Sequence, residues 1–467
     1  MEDVNSSSMQ IFNQAIDIFF KHNPANPYWI LLAMYLRKQE SLNVVPNYKG
    51  PEINIIAPKV DFGSWLGSGC LIEWDDDTED LSIIGHICEN ERLSDIVDRF
   101  RSASNENFDK IKQSPTNSLH QWHSDFLLKV ACSLMSIDSY WFESNFISLF
   151  DKITTRILGK EHYEFTPHPN EITQLISGII GSAPHRIYNP FAGTGLFSSI
   201  AYNHHKSEYI GEETSIILAA IGDLRILSTG IDGAIHNTDS IHRNMYGADV
   251  LVSVPPFMLD ISDITIEWDF DGRNDASTLL LRKCAQEDVV GYIVCPSSMN
   301  FKMGYHRRLR EYLVQMDCID MIIYLPAKLF DKTSIPTSLY VINRNHNHKG
   351  NIRLVDATSM FTESIRKNIL DVNNVLNIVR NGGHFSVEIS IEDVVRSDYN
   401  FSPELYFNLD IDIPENADFR PITELGEIVK THASNKISNG KFANFSQLSN
   451  TNRLKIYRDC RKSPRQV

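Results

Sequence analysis

From residue 186 onward one pattern repeats: short apolar runs, each the length of a single strand, alternate with stretches of helical periodicity. Few folds accommodate that alternation, because parallel strands need a crossover of a dozen or so residues and a helix is what supplies it. Strands are expected at Arg186–Tyr188, Glu208–Gly211, Ala234–His236, Asp249–Val254, Val289–Cys295, Ile319–Leu325, Ser338–Asn343 and Ile352–Asp356. Helices fit between them at Leu196–Asn203, Ser215–Ser228, Ala276–Gln286 and Tyr305–Gln315. The pattern predicts an α/β domain with a doubly wound, mostly parallel sheet. Only Asn345-His-Asn-His-Lys-Gly350 separates the last two strands, too little for a helical crossover, so an antiparallel hairpin or sheet edge is expected there.

At 467 residues the chain exceeds what that domain needs, since a single core stops growing at roughly 250–300 residues. Four stretches are expected. Residues 1–155 carry helix-like patterns, such as Ser8–Lys21 and Trp122–Ile137, around a turn-rich middle, and read as a mostly helical domain. Residues 156–360 hold the α/β core, 361–420 a helical extension, and 421–467 a basic tail. The tail has nine Lys or Arg against three acids, whereas the whole chain has a formal charge of −15. A surface that binds nucleic acid everywhere is therefore excluded, and any such contact must be local or shared with a partner. The acidic run Glu73–Asp80 reads as a solvated loop. Seven scattered cysteines, odd in number and without a Cys-x-x-Cys pair, fit reduced thiols and no metal site. Met1–Gln10 lacks the basic start and apolar run of an export signal. The apolar stretch Tyr28–Leu36 is far short of the roughly 20 residues a membrane helix needs. A cytoplasmic protein with no membrane contact is expected.

The sharpest local signal is Tyr188-Asn-Pro-Phe-Ala-Gly-Thr-Gly195, where the first strand ends. Two glycines let the backbone turn tightly into the next helix and bring its amides close to a ligand. The segment has neither the three-glycine spacing of a dinucleotide site nor the Gly-Lys-Ser/Thr of a triphosphate site. About twenty residues later comes Tyr209-Ile-Gly-Glu-Glu213, where a carboxylate can accept both hydroxyls of a ribose. Asn237-Thr-Asp-Ser240 follows the third strand, and there Asp239 can accept from the exocyclic amine of an adenine ring. The fourth strand runs into Val254-Pro-Pro-Phe257. Four strand ends with ligand-type residues along one sheet edge mark the place where open α/β sheets bind ligands. Carboxylates beyond a Gly-rich turn suit a neutral nucleoside, whereas they would repel a phosphate.

These segments together resemble the γ-class adenine-N6 DNA methyltransferases, and within them the modification subunits of type I restriction systems. Asn-Pro-Phe-Ala-Gly-Thr-Gly is similar to that family's S-adenosylmethionine loop, and Tyr163-Glu-Phe-Thr-Pro167 is similar to the cofactor segment that precedes it in the γ class. Gly291–Pro296, Leu325–Phe330, Ile335–Ser338, Val355–Ala357 and Asp398–Pro403 stand in the family's order as well. The likeness covers about residues 160 to 405 and implies a Rossmann-like methyltransferase fold. It implies that Glu164, Phe165, Thr166, Pro167, Asn189, Ala192, Gly193, Thr194 and Gly195 line the methionine part of the cofactor. By the same resemblance Glu213 is the ribose acid, Asp239 meets the adenine, and Val254, Pro255, Pro256 and Phe257 form the catalytic segment. The implied partners are double-stranded DNA with a flipped adenine, a specificity subunit and a restriction subunit.

One departure bears on chemistry. Where the family reads Asn/Asp-Pro-Pro-Phe/Tyr, position 254 is Val. The N6 amine of adenine is a poor nucleophile, and two acceptors, the Asn side chain and the carbonyl of the next residue, here Pro255, would hold its protons and aim its nitrogen. Val254 supplies no acceptor, and losing one oriented contact of this kind costs on the order of 100-fold in rate. Ser253 cannot substitute, since successive strand side chains point to opposite faces. Phe257 can still stack on an extruded base. Two readings stand: an adenine-specific DNA methyltransferase, tolerant of Val254 or greatly slowed by it, or a catalytically silent subunit that binds DNA or scaffolds a defence complex. A small-molecule or protein methyltransferase is disfavoured by the double proline. Pro421–Val429 resembles the opening of a target recognition domain, with too few residues after it for a whole one, which leaves a fragment, a truncated fusion, or a subunit served by a separate specificity partner. The chain alone is expected to bind DNA weakly.

Overall fold

The computed structural model describes residues 2–21, 27–41, 72–74, 81–83, 92–93, 95–96, 99–100, 134, 136–161, 168–181, 184–203, 207–241, 245–261, 275–331, 333–365 and 367–407. The N-terminal part holds α1 (Glu2–Lys21), α2 (Trp29–Ser41), a small hairpin of β1 (Ile72–Trp74) and β2 (Leu81–Ile83), and the long α3 (Ser139–Glu161). Ser8–Lys21 lies in α1. Nearly all of the helix expected at Trp122–Ile137 falls outside the described residues, as does the basic tail.

The remainder, after α4 (Asn170–Ile179), is built on one nine-stranded sheet. In chain order its elements are β3 (Arg186–Asn189), α5 (Ser198–Asn203), β4 (Glu208–Glu213), α6 (Ile216–Thr229), β5 (Gly233–Asn237), β6 (Val250–Ser253), α7 (Ala276–Glu287), β7 (Val290–Pro296), α8 (Tyr305–Gln315), β8 (Ile319–Tyr324), β9 (Thr337–Ile342) and β10 (Asn351–Asp356). A two-stranded ribbon of β11 (Phe361–Thr362) and β12 (Ile369–Leu370), then α9 (Val372–Asn381), β13 (Ser386–Ser390) and α10 (Ile391–Arg396), complete it. Across the sheet the order is β13-β10-β8-β9-β7-β6-β3-β4-β5. β3 pairs in parallel with both β4 and β6, so the chain winds outward from β3 in one direction and then from β6 in the other. That reversal opens a crevice beyond the carboxyl ends of β3 and β6.

Every strand and helix expected between 186 and 356 is present. The hairpin is not. β9 runs antiparallel between β7 and β8, and β10 lies on the far side of β8, parallel to it. The connection 343–350 therefore passes over one strand, a span of about 10 Å, which eight residues bridge with ease. β13 then adds an antiparallel edge to β10.

Apolar side chains on successive strand positions divide between the two faces. Ile187, Tyr209, Val250 and Val252 face a core shared with α4, α5 and α9, while Tyr188, Ile210 and Leu251 face one shared with α7 and α8. α6 is apolar nearly all round because it separates cores: Ala219 and Ile226 face the sheet, and Ile217, Ala220, Ile221 and Leu224 enter a third core built by the N-terminal helices. Its ends are fixed locally, by the Ser215 hydroxyl accepting from the Leu218 amide at 3.4 Å and by Gly230 at φ +67°.

Candidate functional site

The turn after β3 is shaped from inside. Asn189 is 1% exposed. Its Oδ1 accepts from the Phe191 amide at 3.1 Å, and its Nδ2 donates to the Tyr209 hydroxyl at 3.1 Å. An aspartate here could keep the pair only in the reverse sense, by accepting from the Tyr209 hydroxyl. Gly193 and Gly195 then take φ of +54° and +74°, the left-handed region open to glycine. The loop lies directly on its supports, since a Cβ at Gly211 would sit 2.8 Å from that of Ala192. Ala192 and Thr194 are buried.

Glu213 closes this loop. Its Oε2 accepts from the Gly193 amide at 3.0 Å and its Oε1 from the Ser215 amide at 2.8 Å. Glu212, one position earlier, points to the other face, is fully buried, and accepts from the hydroxyls of Tyr188 and Tyr246, the latter at 2.6 Å. Strand alternation thus assigns two adjacent carboxylates to different tasks, one in the core and one at the ligand edge. The neighbouring strand end is tied to the same place: the Thr238 amide donates to the Glu213 carbonyl at 3.0 Å, and Asn237 Nδ2 donates to the carbonyls of Glu213 and Thr214. Asp239 follows, exposed, its Oδ1 accepting from the Ile241 amide at 3.0 Å. Lys283 reaches the Ile241 carbonyl, and burial lowers its pKa against the opposing pull of Glu287, Glu212 and Asp239.

The Val254–Phe257 segment leaves β6 on the crevice side of the switch point. Val254 shares the face of Val252 and packs, half-buried, with Phe257 against the core that contains Ala192 and Phe197. Phe257 meets Phe330 edge to face, with centroids 5.1 Å apart. Pro255 is buried and Pro256 exposed. Ser253 shares the face of Leu251, is fully buried, and its hydroxyl has no hydrogen-bond partner among the described residues. It is aimed away from Val254. Met258 follows at φ +61° with its side chain in solvent, an uncommon backbone for a residue other than glycine.

Glu164, Phe165, Thr166 and Pro167 lie outside the described residues. The next residue, His168, stacks on Phe197 with centroids 4.1 Å apart and shares a 2.9 Å hydrogen bond with Thr173 Oγ1. Burial, helped by the charge of Lys367, pulls its pKa down to about 3, so the ring is neutral. The structure therefore brings together Asn189, Ala192, Gly193, Thr194, Gly195, Glu213, Asp239 and Val254–Phe257. It adds Tyr209 and Glu212, which stand inside the Tyr209–Glu213 segment with no role assigned by the sequence, and His168, the residue after Tyr163–Pro167. Among the described residues there is no cluster of three or more metal-ligating side chains and no helix long and apolar enough to cross a membrane.

Comparison with known proteins gives a consistent picture. A family model described as N-6 DNA Methylase matches residues 154–412. The methylase subunit of the type I restriction enzyme MjaVII from Methanocaldococcus jannaschii is 26% identical over 304 residues, 56% of this chain and 52% of that protein. The MpnII methylase subunit of Mycoplasma pneumoniae is 26% identical over 192 residues, 35% of this chain and 34% of its own. The chain thus spans about half or less of these curated relatives. Among solved structures, the methyltransferase subunit of a type I restriction-modification system from Streptococcus thermophilus superposes with a TM-score of 0.59 at 16% identity, covering 85% of this chain and 98% of that one. A chain from a study of type I restriction-modification complex assembly and conformational transition gives 0.54 at 14% identity, covering 90% and 93%. At such identities the likeness speaks for the fold alone.

Proposed function

Because the chain belongs to the N-6 DNA methylase family, we propose that it is the modification subunit of a type I restriction-modification system and transfers a methyl group from S-adenosylmethionine to the N6 amine of adenine in DNA. The observation that carries this reading is the junction at the switch point: the Gly loop held against the Glu213 carboxylate, with the Val254–Phe257 segment at the end of the adjacent strand. The donor set fits the cofactor. An ionised carboxylate has about four acceptor positions, and Glu213 uses two on backbone amides and a third, at 3.4 Å, on the exposed Thr214 hydroxyl, which leaves one free for a ribose hydroxyl. Asp239, exposed at the next strand end, suits an adenine amine. Gly193 and Gly195 allow backbone amides to come close to the ligand, and the residues Glu164–Pro167 are assigned to its methionine end. Bound there, S-adenosylmethionine supplies a methyl group made electrophilic by a positively charged sulfur.

The chain's own groups act on the base. The Pro255 carbonyl accepts a hydrogen bond from one N–H of the amine and orients it. Phe257, braced by Phe330, offers a ring face to an extruded adenine. Val254 contributes shape and no acceptor, so the amine is held at one point where two are needed, and transfer is slowed on the order of 100-fold. DNA, a specificity subunit and a restriction subunit are the proposed partners.

Val254 also favours a second reading, in which the chain keeps the methyltransferase fold and binds DNA or scaffolds a defence complex without transferring methyl groups. Calorimetry with S-adenosylmethionine, followed by transfer of labelled methyl to adenine-containing duplex DNA by wild type and Val254→Asn, separates the two. Binding by wild type and a large rise in transfer on Val254→Asn are expected. No binding at millimolar cofactor removes the methyl-transfer reading, and a wild type as fast as the variant overturns the account of position 254.

A further inference from the structure

Helix α6 carries two buried charges for which the ligand edge described above has no direct use. Arg225 is 2% exposed. Its Nε donates to the carbonyl of Thr194, inside the Gly loop, at 2.9 Å, and its Nη2 is paired with Asp151 of α3. The guanidinium lies over the Phe150 ring, 5.3 Å from the centroid. Asp223, two residues earlier and 3% exposed, has the opposite sign and the same division of labour. Its Oδ1 accepts from the Ile235 amide of β5 at 3.0 Å and from Arg92 Nη2 at 2.6 Å, while its Oδ2 accepts from Arg92 Nε at 3.2 Å. Each charge therefore holds one backbone group beside the ligand edge, Arg225 the Thr194 carbonyl in the Gly loop and Asp223 the Ile235 amide within β5, and one counter-charge from the N-terminal part. Just before Asp223 stands Gly222, where a Cβ would be 3.0 Å from the Thr194 carbonyl carbon and 3.2 Å from the Gly195 nitrogen. The same helix buries Ile217, Ala220, Ile221 and Leu224 among the N-terminal aromatics, and Lys38 of α2 donates to the Ser228 carbonyl at 2.7 Å.

A buried charge tolerates its surroundings only while it is paired. Burial pulls the Arg225 pKa down to about 9, so the guanidinium keeps its charge at neutral pH and keeps its need for Asp151. If α3 moves, Arg225 must find another partner, and the Thr194 carbonyl is the group it already holds. The seating of the N-terminal helices and the shape of the loop are in this way one linked variable.

We propose that Arg225 and Asp223 are positioning residues that couple the docking of the N-terminal helical part to the shape of the ligand edge, so that the N-terminal part sets cofactor affinity without touching the cofactor. The affinity half rests on the reading that the loop binds S-adenosylmethionine; the shape half does not.

The test uses the full chain with Asp151→Ala, the charge-keeping Asp151→Glu, and Leu149→Ala as a control that removes N-terminal core without touching either ion pair. Two quantities are read: the Kd for S-adenosylmethionine by calorimetry, and hydrogen exchange of the Gly195 and Ser198 amides in ligand-free protein. Asp151→Ala weakens Kd by roughly tenfold, inside the 5–150-fold span usual for coupled sites, and speeds loop exchange by a similar factor. Asp151→Glu restores both. Leu149→Ala lowers Tm yet leaves both within about twofold of wild type. Should Asp151→Ala lower Tm with loop exchange and affinity unchanged, the pair is merely structural and the proposal falls. A wild type that binds no cofactor overturns the functional reading instead, and loop exchange still decides the coupling.

Discussion

Gly222 sets how closely α6 approaches the Gly loop, and Gly222→Ala measures what that closeness is worth. The added methyl would lie 2.4 Å from Ile235 Cδ1, 3.0 Å from the carbonyl carbon of Thr194 and 3.2 Å from the nitrogen of Gly195. The Ile235 methyl is the end of a flexible side chain and can rotate aside. The two backbone atoms cannot, so with ordinary carbon contacts at about 3.5–4.0 Å the loop must withdraw by roughly 0.5 Å. Loss of one well-fitted backbone contact to the ligand, about 1.4 kcal/mol, corresponds to roughly tenfold in Kd for S-adenosylmethionine. Stability is expected to fall by about 0–2 kcal/mol, because overpacking of about 1–3 kcal/mol is offset by about 1 kcal/mol of helix propensity gained on replacing glycine. Gly159→Ala supplies the control: it lies in α3 with nothing within 4 Å of the new methyl, and is expected to stabilise by up to about 1 kcal/mol with Kd unchanged. Calorimetric titration of both variants, with scanning calorimetry for stability, is the assay. Wild-type affinity in Gly222→Ala, or an equal loss in Gly159→Ala, refutes the reasoning.

Phe257→Ala should leave cofactor affinity within about twofold while lowering methyl transfer, read in the Val254→Asn background, by roughly 10–100-fold, the worth of one base stacked on an aromatic ring; equal losses in both readouts would sink the stacking role. His168 gives a pH signature. Its folded pKa, about 3, lies below the ordinary 6.5, so the unfolded chain binds the extra proton, and the stabilisation is complete above pH 6.5 and is lost as pH falls from there toward 3. Urea unfolding between pH 7 and pH 4 should show a shallower loss in His168→Gln than in wild type, and parallel slopes would count against the assignment.

Much of the sheet could be read from the chain because its signals are local. Strands and helices between 186 and 356 fall within two residues of their expected bounds, each being an apolar run closed by Gly, Pro or a polar cap. The place of β9 could not be read that way. Insertion between β7 and β8 is a matter of pairing between distant segments, and the short span 343–350 fits a hairpin and a one-strand pass equally well. β13 escaped notice because an edge strand is only half-buried and its alternation is weak. At the site, the Gly loop and the acids stood out because their residue types are demanded by their backbone and their ligand. Choosing Glu213 over Glu212 came from resemblance alone; strand alternation says that the two differ and cannot say which faces the crevice. Arg225 gave no signal, since a single cation in an apolar helix normally reaches for solvent, and only the tertiary structure reveals Asp151 and Thr194 waiting for it.

The Glu213 carboxylate, already seated on the amides of Gly193 and Ser215, bears on how any ligand of this loop is received. A glycine turn left to itself samples many conformations, and its ordering would be charged against affinity at each encounter. Here that entropy is surrendered once, as the protein folds. The arriving molecule meets a rigid rim with a spare lone pair, so selectivity at this edge rests on fit to a fixed template, and little affinity is lost to closing the loop around each ligand in turn.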